Sequence, residues 1–268
     1  MTDYQTIQLR RQGAVVTVAL NRPQVRNAFD ALMLRELIDA FTGLAGDFPK
    51  VRVVVLTGNG ASFCAGADLN WMKETVHYSV EENLADARQV AECMHLLYRL
   101  PQPTIARING PAIGGGMGFV CACDMAVAQC DAVFSLSEVR IGLVPACISP
   151  YVLKKTGEGR CRELFLSGER LSAERAHALG LVNEVVPPED LDAAVQRRVE
   201  QLLANGPHAM AACKVLLEKV AHQELEEAKV FTAELLANLR AGAEAQEGMA
   251  AFLGKRTPHW RRDPSGGQ

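Results

Sequence analysis

Three consecutive glycines, Gly114-Gly115-Gly116, close a loop that follows the β-rich run 104–108 and opens into an apolar, helix-like stretch at 115–123. Residues without a Cβ at a strand-to-helix junction leave helix-start N–H groups with nothing beside them, which calls for a layered α/β structure whose strand ends deliver backbone donors. The same arrangement occurs earlier, where Cys64-Ala65-Gly66-Ala67-Asp68 follows the run 51–57 and leads into a short helix over 68–73. One such motif is commonly a tight turn and nothing more. Two of them aim donors and helix dipoles at one developing negative charge, and together they make an oxyanion hole.

Around these motifs the chain alternates short β-rich runs with amphipathic segments. A strand is expected over 14–20, stopped by Asn21-Arg22-Pro23, and then a helix capped by Asp30 whose Leu34, Leu37, Ile38, Phe41 and Leu44 share one face. A mobile loop is expected over 78–83, helix over 84–100, short strands at 125–128 and 133–135, and a strand at 181–186 ended by Pro187-Pro188. The composition shifts near Asn205-Gly206-Pro207, which divides a core over 1–205 from a helical region over 206–268 with helices at 208–220, 224–239 and 244–253. The tail Pro264-Ser265-Gly266-Gly267-Gln268 is expected to be loose. A strand-strand-helix theme recurs loosely, without a solenoid period.

Composition removes several function classes. A formal charge of −3 without a long Lys/Arg run argues against a sequence-independent nucleic-acid binder. The start, Met1-Thr2-Asp3-Tyr4-Gln5, is polar and acidic and no apolar run reaches bilayer length, so a cytoplasmic protein without a membrane span is expected. The 8 cysteines form no Cys-x-x-Cys pair and read as reduced core thiols, and Cys121-Ala122-Cys123-Asp124 lacks neighbouring His ligands, so no metal is expected. The triple glycine superficially imitates a dinucleotide fingerprint with Glu138 as its acidic partner, but Phe119 stands where the last glycine belongs. Neither a phosphate loop ending in Gly-Lys-Ser/Thr nor a Gly-x-Ser-x-Gly elbow is present.

Three segments in order, Phe63-Cys64-Ala65-Gly66-Ala67-Asp68-Leu69, Asn109-Gly110-Pro111-Ala112-Ile113-Gly114-Gly115-Gly116 and Glu138-Val139-Arg140-Ile141-Gly142-Leu143-Val144-Pro145, resemble the crotonase (enoyl-CoA hydratase/isomerase) superfamily. Leu20-Asn21-Arg22-Pro23 and the stretch Glu247-Gly248-Met249-Ala250 extend the similarity over nearly the whole chain. The resemblance implies an α/β spiral of strand-strand-helix turns, a C-terminal helical region used for trimers that often pair into hexamers, and an acyl-CoA substrate with no separate cofactor. It assigns the oxyanion donors to the N–H groups of Ala67 and Gly115, and general acid/base work to Glu138. Two-glutamate hydratases of the family carry a second carboxylate where this chain has Gly118.

That departure, with Gly66-Ala67-Asp68-Leu69-Asn70-Trp71-Met72 and Ile148-Ser149-Pro150-Tyr151, is similar to bacterial hydratases of 3-methylglutaconyl-CoA or isohexenylglutaconyl-CoA, enzymes of leucine and acyclic-terpene breakdown. The substrate-binding residues expected on this basis are Ala65, Asp68, Leu69, Trp71, Met72, Gly114, Gly118 and Tyr151, with Arg26 and Lys255 or Arg256 as basic contacts for coenzyme A. Solvated surface charge is the competing account of those cations. The rival functions are an enoyl-CoA isomerase, for which one glutamate suffices, and a non-catalytic CoA- or RNA-binding relative.

Overall fold

The computed structural model describes residues 3–261, so the expected loose tail lies outside the described residues. The strands are β1 (Ile7–Gln12), β2 (Val15–Leu20), β3 (Val53–Gly58), β4 (Thr104–Ile108), β5 (Ala112–Ile113), β6 (Met125–Gln129), β7 (Val133–Ser135), β8 (Arg170–Ser172) and β9 (Glu184–Val186). The helices are α1 (Ala31–Gly46), α2 (Leu69–Thr75), α3 (Val80–Arg99), α4 (Gly115–Ala122), α5 (Ser149–Ser167), α6 (Ala173–Ala178), α7 (Leu191–Leu203), α8 (Pro207–Val220), α9 (Leu225–Ala241) and α10 (Ala243–Leu253).

One sheet runs β1-β2-β3-β4-β6-β9, parallel throughout except for the antiparallel β1–β2 hairpin. Buried on both faces, β3 is apolar almost end to end, Val53-Val54-Val55-Leu56, as a central parallel strand must be. A second sheet, β5-β7-β8, lies one step further along the chain: β4 leads into β5 and β6 into β7, so each turn visits the first sheet, then the second, then a helix. Isolated parallel bridges, Phe29 with Ala67 and Cys64 with Ala112, continue this second layer through the segments before α1 and α2. The result is the α/β spiral with a C-terminal helical region.

Helix α1 begins where Asp30 accepts a hydrogen bond from the Met33 N–H at 2.9 Å, and it buries Leu34, Leu37 and Phe41 completely against the sheet. The polar stretch expected as a loop near 78–83 is instead the first turn of α3, because Ser79 and Glu82 form a reciprocal capping box. Only residues 184–186 of the expected strand at 181–186 pair with β6; at Asn183 the side-chain oxygen instead accepts the Ala126 N–H. Strand β1 alternates only over Ile7 and Leu9, with charged and amide side chains at its other positions, a pattern too short to mark a strand in the sequence.

Cys64, Cys93, Cys121, Cys123 and Cys161 are buried as expected, whereas Cys130 and Cys213 are exposed, a correction that follows from their places at a strand end and on α8. Burial pushes the Cys64, Cys121 and Cys123 thiols up to about 12, which leaves them unreactive. Among the described residues no helix is long and apolar enough to cross a membrane.

Candidate active site

The second layer fixes the geometry of the site. Phe29 bonds on either side of Ala67, its N–H donating to Gly66 O (2.9 Å) and its carbonyl accepting the Asp68 N–H (2.8 Å). Alternation along an extended segment then points the Ala67 N–H the other way, and among the described residues it meets no acceptor. Opposite it, Cys64 accepts the Ile113 N–H (2.9 Å) and Ser135 accepts the Gly114 N–H (2.8 Å), which places Gly115 at the first position of α4 with its own N–H unpartnered among the described residues.

Two glycines permit this approach. Gly66, at φ +95°, comes so close to the other loop that a Cβ there would lie 2.9 Å from Ile113 O and 3.8 Å from the Gly115 nitrogen. Gly114, at φ +53°, faces the Glu138 carboxyl, whose Oε1 would be 3.2 Å from a Cβ added at that position. Glu138 opens a 3-10 turn over Glu138–Ile141. Its Oε2 is buried and has no hydrogen-bond partner among the described residues. Burial raises its pKa above the ordinary glutamate value, partly offset by a backbone hydrogen bond.

A cavity of about 740 Å³ opens over this point. Ala65, Ala67, Leu69, Met72, Gly114, Gly115 and Glu138, all anticipated, line it. Glu138 is the one carboxylate among the lining residues. The opposite wall is the segment from Arg140 to Ile148, where Ile141, Leu143 and Val144 remain largely exposed at the mouth.

Six other expected contacts are placed elsewhere. Asp68 turns away to cap α2, accepting the Asn70 N–H at 2.8 Å and pairing with Arg22 at 2.8 Å. Burial works against its ionisation, but the Asn70 N–H and the Arg22 cation outweigh that and lower its pKa. Trp71 packs edge-on against Phe29, ring centroids 6.0 Å apart, behind the donors. Tyr151 is buried against Tyr98 at 5.3 Å. Gly118 is walled off, since a Cβ there would lie 2.3 Å from Ile148 Cγ2 and 3.0 Å from Met94 Cε; those two side chains fill the space a second carboxylate would need.

Arg26 and Lys255 are exposed, in left-handed backbone conformations, and outside the cavity lining. Arg26 nevertheless abuts the donor loop, because its carbonyl accepts the Ala65 N–H at 3.0 Å. Arg256 is committed to Glu247 through two bonds of 2.6 and 2.7 Å, which hold that carboxyl at about 2. Sequence reading overlooked Ser137, Arg140, Ile148 and Arg170, which also line the cavity. No periodicity marks them; only Ser137 and Arg140, one residue before and two after Glu138, were within reach of an argument from proximity.

The arrangement can stabilise an oxyanion with two main-chain donors while one carboxyl, holding its proton more tightly than usual, exchanges it with a nearby carbon or water. Comparison with known proteins agrees with that chemistry. The enoyl-CoA hydratase/isomerase family matches residues 10–263. The 2,3-dehydroadipyl-CoA hydratase of Escherichia coli is 33% identical over 94% of this chain and 96% of its own, and the crotonyl-CoA hydratase of Syntrophomonas wolfei is 31% identical over the same shares. The crystal structure of an enoyl-CoA hydratase from Shewanella pealeana superposes with a TM-score of 0.92 at 38% identity, covering 96% of each chain. With the match spanning nearly its whole length and the donor loops and Glu138 brought to one cavity, the chain belongs to the enoyl-CoA hydratase/isomerase family.

Proposed function

We propose that the protein is an enoyl-CoA hydratase, a carbon–oxygen lyase, that adds water reversibly across the 2,3 double bond of a branched glutaconyl thioester, 3-methylglutaconyl or isohexenylglutaconyl. Coenzyme A enters as part of the substrate, and no further cofactor is required. The observation that carries this reading is the Glu138 carboxyl, whose Oε1 faces Gly114 and whose Oε2 is buried without a partner among the described residues, in the same cavity that Ala67 and Gly115 line.

In the forward direction the ionised Glu138 takes a proton from water as the oxygen bonds to C3. The π electrons move onto the thioester oxygen, whose enolate charge is held by the Ala67 and Gly115 N–H groups. Glu138 then returns the proton to C2, so one carboxyl serves both steps and the addition is delivered from one face. The donors gain strength as charge develops, so they favour the transition state over the bound substrate; one such donor is typically worth about 3 kcal/mol.

The substrate class rests on the filled space over Gly118. With Ile148 and Met94 where a second carboxylate would stand, an acidic group carried by the substrate itself is the natural replacement for ordering the water. The E. coli relative is named for 2,3-dehydroadipyl-CoA, a thioester whose acyl chain ends in a carboxylate, which keeps such chains within the family's range. Steady-state kinetics on 3-methylglutaconyl, isohexenylglutaconyl and crotonyl thioesters test this, and equal catalytic efficiency on all three would remove the branched-acid assignment. Glu138→Gln is expected to lower kcat roughly 100- to 10,000-fold; unchanged turnover with retained fold would end the general-base role.

A second reading has its own support. A single carboxylate in the lining also suits an enoyl-CoA isomerase, which moves one proton between carbons along a dienolate. Hydration consumes the conjugated enoyl absorbance, whereas isomerisation of a 3-enoyl thioester creates it.

A further inference from the structure

Most arginines of this protein that lie near an acid are paired with it: Arg22, Arg99, Arg107, Arg175, Arg197 and Arg256 all hold carboxylates. Arg140 and Arg170 line the active-site cavity, and neither has an ion pair or a side-chain hydrogen bond among the described residues. The fold brings them to the same corner. A Cβ built on Gly168 would lie 3.4 Å from Arg140 Nε, and Gly168 is two residues before Arg170. Arg170 in turn sits opposite Ser135 in the β7–β8 pairing, and the Ser135 carbonyl is the acceptor that fixes Gly114 beside the donors.

These cations do not serve Glu138, whose proton affinity is raised by burial with no cationic contribution against it. Two guanidinium groups that line one cavity without an anionic partner suit a planar carboxylate, whose geometry matches theirs. Their side of the cavity also matters. With the thioester oxygen between Ala67 and Gly115, the reacting carbons face Glu138, and Arg140 follows Glu138 in the same 3-10 turn. In a glutaconyl chain the second carboxylate stands only two carbons beyond C3.

We infer that Arg140 and Arg170 form the subsite that binds the distal carboxylate of the acyl chain, making this an enzyme for dicarboxylic enoyl thioesters, while the exposed Ile141, Leu143 and Val144 accommodate the branch. The inference rests on the hydratase reading above and names the residues that choose its substrate.

The test compares 3-methylglutaconyl-CoA with the methyl ester of its distal acid, which keeps the shape and loses the charge. Wild-type enzyme is expected to favour the acid. Arg140→Gln and Arg170→Gln are each expected to lower kcat/KM for the acid roughly 10- to 100-fold, the range for a hydrogen bond to a charged group, and to bring the acid-to-ester ratio toward one. Thermal melts confirm that the variants fold, and the double Arg→Lys variant, which keeps the charge, recovers part of the preference. Equal losses on acid and ester, with weaker binding of free coenzyme A, would reassign the arginines to the coenzyme phosphates and overturn the subsite. Undiminished acid turnover in the variants overturns the arginine assignment alone. A wild-type enzyme that hydrates crotonyl-CoA and the ester but not the acid overturns the dicarboxylic reading while leaving the hydratase standing, and one that hydrates none of the three overturns the proposed function itself.

Discussion

At the scale of single residues, Glu138 sets the pH behaviour. Hydration needs its ionised form, and burial lifts its pKa above the ordinary value of 4.5, so the acid limb of kcat/KM is expected above that value. A limb within the ordinary carboxylate range, read from a pH–rate profile, would contradict the buried placement. The linkage to stability has the opposite sense from that of a salt-bridged acid. A folded-state pKa above the unfolded one means that Glu138 favours the native state most below its unfolded pKa, and that this contribution is lost as pH rises through the folded value. Glu138→Gln is therefore expected to be at least as stable as wild type at neutral pH, an outcome that denaturant titration checks. Gly118 gives a second prediction at this scale. Alanine there drives a methyl group against Ile148 Cγ2, and overpacking of this kind is expected to cost about 1–3 kcal/mol, read from denaturant titration.

At the scale of elements, the donor loop is held by a junction of polar side chains between β2 and α2. Asn27, fully buried at φ +55°, donates to Asn59 O and Ser62 O at 2.9 and 2.8 Å and accepts the Arg22 N–H at 2.9 Å. Arg22 reaches Asp30 at the start of α1 and Asp68 at the start of α2, so one cation joins two helix caps on either side of Ala67. Asn27→Ala strands buried carbonyls and is expected to cost about 2–4 kcal/mol and to lower kcat more than it raises KM, because it loosens the donors rather than the acyl wall. A variant with normal kcat would show that the loop holds itself.

The sequence made this element pattern legible in proportion to how locally each signal is written. A parallel strand such as β3 is a nearly continuous apolar run, and α1 announces itself through Asp30 and its apolar face, so both could be read directly. The two donor loops were legible because the glycine motif occurs twice, each time between a strand and a helix, where a single copy would read as a tight turn. Strand β1 is held by its hairpin partner rather than by its own pattern, and the start of α3 was obscured by polar residues that are in fact its cap. The wall opposite the donors was not legible, because Ile148, Arg140 and Arg170 reach the cavity through tertiary placement of a turn, a helix entry and a short strand.

At the scale of the whole molecule, α9 has no buried residue over its full length, and Leu225, Phe252 and Leu253 are each at least 80% exposed. Apolar side chains gathered on the C-terminal helices in this way call for a partner surface. The expected assembly is a homotrimer or a pair of trimers, which light scattering would register as three or six times 29.1 kDa; a monomer at micromolar concentration would exclude it. Within one protomer, the two halves of the cavity are built differently. The donors belong to main chain locked into the sheet layers, whereas the facing wall from Arg140 to Ile148 contributes no strand to either sheet. Choice of acid is thus divided between that wall, through Arg140, and β8, through Arg170. Grafting the wall together with β8, with Glu138 left in place, is therefore the exchange expected to transplant a taste for one acyl group between family members.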